Sequence, residues 1–180
     1  MNGHRRLLGS FNHGSIANGL PQAIGAQISC PGRQVVSLCG DRGISLLMGD
    51  ILSLRHLSLP VKIAVFNNGS LGFLEPTLKA AGFGAPAVEP VTLNFAKIAE
   101  GAGILGLRVE DSEMVRPALE KAFEHNGPAL IDFAVDRQEL AMPLALKVDE
   151  AADFNLYMIK AILNGPGGEI ADLAQTGLLE

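Results

Sequence analysis

Asp41 and Asn68 offer the most chemistry in this chain, one as a carboxylate and the other as a neutral amide oxygen. Each lies in a polar turn that ends an apolar run. Gly40-Asp41-Arg42-Gly43 follows Val35 to Cys39, and Asn67-Asn68-Gly69-Ser70 follows Val61 to Phe66. A backbone carbonyl at Gly69 or Ser70 would add a third oxygen. Three protein oxygens, completed by phosphate oxygens and water, suit a hard octahedral cation, most simply Mg²⁺. The first turn precedes a helical pattern, so its N–H groups would lie at the positive end of a helix dipole. Such a turn can take a diphosphate. Carboxylate and diphosphate repel unless a divalent cation sits between them. The plainer alternative is that Asp41 N-caps the helix and the Asn pair is a turn, and residue types alone favour it.

These residues need elements that bring them together. Val35 to Cys39 and Val61 to Phe66 read as buried strands, and Ile44, Leu47, Met48, Ile51 and Leu54 between them keep helical spacing. Strand, helix and strand make a βαβ unit with parallel strands. A right-handed crossover puts both polar turns at the same carboxyl edge, where open α/β sheets bind ligands.

The rest of the chain repeats the alternation. Ile16 to Ile28 has small and apolar residues at helical spacing, with Pro21 in a tolerated first turn. Ala17, Gly19, Ala23, Gly25 and Ala26 would allow close approach of a neighbour. Leu71 to Ala81 reads as a short helix interrupted by Pro76, and 82–90 as a Gly-, Ala- and Pro-rich loop beside the turn, with Phe73 and Leu74 as candidate pocket walls. Thr92 is the expected N-cap of a helix to about Ala102. Leu105 to Val109 is the next strand. Asp111 or Ser112 caps a helix to about His125, and Ala129 to Val135 is the last strand. Gln138 to Val148 reads as a connector and Ala151 to Leu163 as a helix. After Gly165-Pro166-Gly167-Gly168, the final segment places Ile170, Leu173, Ala174 and Leu178 on one face of an amphipathic helix. The expected fold is α/β, a doubly wound, mainly parallel sheet with helices on both faces, plus a C-terminal helical tail. The expected division is a binding domain over 1–140 and a connector and tail over 141–180.

Composition limits the partners. The 180 residues are 48% hydrophobic and only 18% charged, which hints at surfaces buried against other chains. A net charge of −5 and the lack of a basic stripe argue against nucleic acid. No apolar run is long enough to span a bilayer, and no signal peptide is evident. Cys30 and Cys39 read as free thiols of a reducing compartment. His13, alone in a turn, reads as a surface residue.

GDRGIS followed by FNNGS at this separation resembles the cofactor motif of thiamine diphosphate enzymes, a Gly-Asp-Gly and then an Asn pair one βαβ unit later. SFNHGSIANGLPQAIGAQ, FAKIAEGAGILGLRVE, GPALIDFAVDRQELAMP and the tail NLYMIKAILNGPGGEIADLAQTGLLE extend the likeness over essentially the whole chain. Together they resemble the carboxyl-terminal part of pyruvate oxidase, and the tail points to the quinone-reducing pyruvate dehydrogenase branch. The resemblance implies Mg²⁺ ligated by Asp41, Asn68 and the Ser70 carbonyl. It implies a thiamine diphosphate site formed by Gly14, Ser15, Ile16, Gly40, Asp41, Arg42, Gly43, Asn68, Ser70, Leu71, Gly72 and Phe73. Within it, the Gly14 carbonyl accepts from the aminopyrimidine and Ile16 is the wedge that bends the cofactor. Arg42 departs from the motif, where the family has Gly. Its charge could reach the phosphates or its Cβ could obstruct the turn; the need for close N–H groups leans toward obstruction.

In that family the activating Glu lies on a pyrimidine-binding domain and FAD on a middle domain. Neither matches anything here, and Glu75, Glu89 and Glu100 fit no such motif. The thiamine diphosphate-binding fold also lacks its first strand. The expectation is therefore a fragment or cut-down relative, with no catalytic residue of its own. It would be the cofactor-binding part of an enzyme that oxidatively decarboxylates pyruvate to acetate and CO₂ with a quinone, inactive alone. FAD belongs only to the complete enzyme. The alternatives are part of an acetolactate synthase-like carboligase, or a non-catalytic oligomerisation or membrane-association module. The expected partners are further copies of the chain and the missing domains. The implied location is cytoplasmic, with peripheral contact at the inner face of the cell membrane through the tail. That tail is acidic, so attraction to anionic lipid is absent.

Overall fold

A computed structural model describes residues 5–69 and 93–136. The chain divides into two units, Met1–Gly69 with Thr92–Val135 and Ser70–Val91 with Asp136–Glu180; the elements below belong to the first. A 3₁₀ turn at Ile16–Asn18 leads into α1 (Gly19–Ser29). Then come β1 (Val36–Gly40), α2 (Asp41–Leu46), a 3₁₀ turn at Met48–Asp50 and α3 (Ile51–His56). They are followed by β2 (Lys62–Asn67), α4 (Phe95–Gly101), β3 (Leu105–Val109), a 3₁₀ turn at Ser112–Met114, α5 (Val115–Glu124) and β4 (Ala129–Ala134). The four strands form one sheet in the order β1-β2-β4-β3, and every pairing is parallel.

The two faces of the sheet are read from alternation. Cys39, Ile63, Val65 and Leu130 point to one side and pack with Leu20, Ala23, Ile44, Ile51, Leu54, Phe95 and Ala99 from the helices there. Ala129, Ile131 and Val109 point to the other, where Ala118 and Ala122 of α5 cover them. Burial on both faces explains why the β2 and β4 runs are apolar almost throughout. On the second face the cover stops short of β1. Val36, Leu38 and Phe66 remain 45%, 64% and 48% exposed, although Phe66 stacks on Phe133 with ring centroids 5.9 Å apart.

The expected α/β architecture is what the chain adopts, with local corrections. The helix expected from Ile44 to Leu54 is broken, because Leu47 leaves helical geometry at φ −128°, ψ 36° and Gly49 follows. The cap of α4 is Asn94, whose side chain accepts from Lys97 N at 2.9 Å, and not Thr92. Asn94 takes the role because it sits where its oxygen meets the third N–H of the helix. Gly25 faces open space, so of the small residues in α1 it needs no close neighbour. Gly19 does, since a Cβ there would come within 2.7 Å of Cys39 Sγ. Asp111, expected to cap the helix itself, caps the 3₁₀ turn that leads into it, accepting from Glu113 N at 3.0 Å, while the N-cap of α5 is Met114, without a side-chain cap. The segment expected as helix over 71–81, the loop 82–90 and everything after Asp136 lie outside the described residues, as do Phe73 and Leu74. No helix among the described residues is long and apolar enough to cross a membrane.

Helix α4 lies on β3 with no room to spare. A Cβ at Gly106 would overlap the carbonyl of Ala96. Gly106→Ala is therefore expected to push α4 off the sheet at a cost of about 1–3 kcal/mol, the usual range for overpacking. Urea unfolding followed by circular dichroism checks this; an unchanged midpoint would contradict it.

Candidate functional site at the carboxyl edge of the sheet

Strand β1 runs straight into α2. Gly40 is extended at φ −80°, ψ 162° and serves as N-cap, so Asp41 is the first helical residue rather than the cap. Its carboxylate is buried at 8% exposure in the first turn, where the helix dipole favours a negative charge. One oxygen, Oδ1, accepts from Arg42 N at 2.7 Å, and the Asp41 carbonyl accepts from Ser45 Oγ at 2.6 Å. Among the described residues no other group donates to the carboxylate. Register pairs Gly40 with Phe66. Asp41 and the Asn67–Asn68 pair thus leave adjacent strands at the same edge, on strands about 4.8 Å apart. Beyond them Gly69 turns at φ +63°, a conformation that favours glycine.

The amino-terminal candidates come to the same place. The 3₁₀ turn at Ile16–Asn18 packs against α2, and a Cβ at Gly43 would sit 2.5 Å from the Ile16 carbonyl oxygen. Gly43 thus has a packing duty that its motif position did not reveal. Gly14, at φ +69°, donates its N–H to the Ser10 carbonyl at 2.7 Å, and Ser15 N donates to Ser10 Oγ at 3.3 Å. Ile16 is 63% exposed, so it is no core residue. Ile16 therefore lies beside Gly43, near Gly40, Asp41 and Arg42 at the end of β1, with Gly14 and Ser15 directly before it in the chain. Ser70, Leu71, Gly72 and Phe73 lie outside the described residues. His13 is exposed, as expected for a surface residue.

Arg42 is the second residue of α2, and its φ is not positive. The backbone there does not require glycine, which removes strain as a reason for obstruction. Its Nε is buried with no hydrogen-bond acceptor. A buried guanidinium N–H without an acceptor suits an anion placed beside α2.

The site also holds residues that motif reading did not single out. Asn67 is 3% exposed and Asp132 of β4 fully buried. Asn67 Nδ2 donates to the Leu93 carbonyl at 2.8 Å and to Asp132 Oδ1 at 3.0 Å. Asp132 Oδ2 accepts from Phe95 N at 2.9 Å and from Arg108 Nη1 at 2.7 Å. Arg108 Nε in turn donates to Glu110 at 3.1 Å. Burial works against the Arg108 charge, but the Asp132 and Glu110 carboxylates outweigh it and hold its pKa above the ordinary value. The available signal was Asp132 itself, a carboxylate in the otherwise apolar run ALIDFAV. Cys30 and Cys39 are free thiols, and burial pushes the Cys39 pKa up.

No group of three or more His, Cys, Asp or Glu side chains gathers for a metal among the described residues. The edge instead offers one carboxylate, neutral amide oxygen and an unpaired guanidinium donor. That set fits a cation shared with phosphate oxygens better than an all-protein cage.

A parallel α/β sheet with a carboxylate and an Asn pair at its carboxyl edge defines a ligand-binding domain of the open-sheet class. Residues 1–133 match the thiamine pyrophosphate enzyme C-terminal TPP binding domain, and the chain belongs to that family. It is 28% identical over 176 residues to YdaP of Bacillus subtilis (strain 168), named as a thiamine pyrophosphate-containing protein, covering 98% of this chain and 30% of that one. It is 34% identical over 149 residues to acetolactate synthase 1 of Oryza sativa subsp. japonica, covering 78% of this chain and 23% of that one. Among solved structures, the Rhodococcus jostii RHA1 thiamine diphosphate-dependent 4-hydroxybenzoylformate decarboxylase is similar. Its TM-score is 0.61 at 32% identity, over 66% of this chain and 23% of that one. The chain thus spans less than a third of each relative. The family is as expected, and its function is that of a thiamine diphosphate-binding domain.

Proposed function

We propose that this chain is the diphosphate- and metal-binding portion of a thiamine diphosphate-dependent enzyme that acts on pyruvate, and that it is inactive alone. The observation that carries the reading is the buried Asp41 carboxylate at the start of α2, on the edge shared with the Asn67–Asn68 pair. Asp41, Asn68 and the Ser70 carbonyl would hold Mg²⁺, and Arg42 would donate to a phosphate oxygen. When bound, the cofactor supplies a carbon nucleophile and an electron sink for decarboxylation of a 2-keto acid. The protein side holds the charged end: Asp41 needs the cation to lie beside a diphosphate, and buried Arg42 Nε gains an acceptor. Gly14, Ser15 and Ile16 would border the organic ring, because Ile16 lies against the same helix and the other two directly precede it.

Two fates of the decarboxylated product remain as proposals. Carboligation is supported by the acetolactate synthase relative. Oxidation with FAD and a quinone, with peripheral membrane contact, is supported by the resemblance of the tail. An assembly with further copies and with cofactor-activating domains is supported by the uncovered strip of Val36, Leu38 and Phe66. The test supplies pyruvate, thiamine diphosphate, Mg²⁺, FAD and a quinone, first to the pure chain and then to the complete assembly. The chain alone is expected to show no turnover. In the assembly, acetolactate would mark the carboligase and quinone reduction the oxidase. Turnover by the chain alone would overturn the portion reading.

Arg42 carries its own prediction. Since its backbone is helical and its Nε lacks an acceptor, Arg42→Gly is expected to weaken thiamine diphosphate binding by about 1.5–3 kcal/mol, as for a charge-assisted hydrogen bond. This reverses the leaning toward obstruction. Tighter binding in calorimetry would restore it.

A further inference from the structure

We propose that Asp132 is a positioning residue for the metal-binding turn: through Asn67, its carboxylate fixes where the chain leaves β2 and so where Asn68 is presented. The metal part of this inference rests on the proposed function; the positioning part does not. Asn67 is held by three bonds at the last position of β2. Its carbonyl accepts from Val135 N at 3.1 Å, and its amide nitrogen donates to Leu93 O and Asp132 Oδ1. Both side-chain partners are acceptors only, so chemistry fixes which way the amide points. One residue later comes Asn68, and then Gly69 turns the chain at φ +63°. Asn68 therefore stands between a pinned residue and a sharp turn, and the pin constrains where it is presented.

The carboxylate makes the pin rigid. Asp132 is fully buried and its two oxygens are shared among Asn67, Phe95 N and Arg108 Nη1. It thereby ties the end of β2 to the start of α4, to β3 and to its own strand β4. The arrangement leaves Asn67 Oδ1 buried with no donor. An apolar side chain there would take a donor from both the Leu93 carbonyl and the fully buried Asp132 carboxylate, so the amide is what ties the end of β2 to this network, directly before the proposed ligand.

The opposite end of β2 provides a control. Lys62 is also buried, and its Nζ donates to the carbonyls of His125 and Gly127, both at 2.6 Å. Burial lowers its pKa. Lys62→Met should lower stability without touching the turn.

The test uses the full chain with Asn67→Ser and Lys62→Met. Amide hydrogen exchange is read without ligand, and Mg²⁺ is titrated calorimetrically in the presence of thiamine diphosphate. Asn67→Ser is expected to speed exchange at Val135, whose N–H donates to the Asn67 carbonyl, at least tenfold while β1 and β4 stay protected, and to weaken Mg²⁺-dependent binding at least tenfold. Lys62→Met is expected to lower the unfolding midpoint and leave that affinity within twofold. Unchanged exchange at Val135, or equal loss of affinity in both variants, overturns the proposal. Should Asn67→Ser not fold, Asp132→Asn takes its place. That variant keeps an acceptor for Phe95 N and Arg108 but turns a donor toward Asn67 Nδ2, and the same outcomes apply. If the unsubstituted chain binds no Mg²⁺ with thiamine diphosphate, the proposed function falls, and the exchange result still decides the pin.

Discussion

Asp132→Ala is expected to remove about 3–5 kcal/mol of stability, the usual cost of breaking a buried ion pair by deleting one partner. Three donors lose their acceptor at once: Phe95 N, Asn67 Nδ2 and Arg108 Nη1. Single domains are stable by roughly 5–15 kcal/mol, so this is a large part of the total. Arg108→Ala is also expected to be costly, because it leaves the Asp132 carboxylate, 0% exposed, with two neutral donors and no countercharge, whereas the arginine is 23% exposed and also paired with Glu110. Urea midpoints for the two variants check this, and a cost below about 1 kcal/mol for Asp132→Ala would contradict the central place given to the network.

Asp41→Ala is expected to leave the fold within about 1 kcal/mol of the parent, since among the described residues the carboxylate accepts only one hydrogen bond, from the adjoining N–H. Its effect should fall on the ligand. Mg²⁺-dependent thiamine diphosphate affinity should drop a hundredfold or more, about 2.8 kcal/mol or more. The sign without metal is the sharper test. With a chelator present, Asp41 only repels the diphosphate, so the alanine variant should bind as well as the parent or better. Calorimetry with and without Mg²⁺ separates the two cases. Equal affinity of parent and variant in Mg²⁺ would remove Asp41 from the site.

Much of the fold could be read from the chain because strands buried on both faces leave a strong apolar signal. Val61 to Phe66 and Ala129 to Val135 became β2 and β4 almost residue for residue. Helix interiors were harder. Leu47, Met48 and Ile51 keep helical spacing, yet the backbone breaks at Leu47, because periodicity reports burial and not continuity. The cap of α4 was misplaced by two positions, since Thr92 and Asn94 are both good caps and only geometry chooses. At the site, the common edge of Asp41 and the Asn pair followed from topology alone. What could not be read was tertiary: Gly43 giving way to the Ile16 carbonyl, and Asp132 reaching Asn67 and Arg108 across three strands. A lone carboxylate in an apolar strand signals a buried partner but does not name it.

The most direct measurement is calorimetric titration of thiamine diphosphate into the unsubstituted chain, with Mg²⁺ and then with a chelator, alongside thiamine lacking the diphosphate. The placement of Asp41, Asn68 and Arg42 predicts saturable binding of the diphosphate in Mg²⁺, a large loss with chelator, and much weaker binding of thiamine. Binding that ignores the metal, or that thiamine matches, would contradict a diphosphate-and-metal edge at the end of β1 and β2.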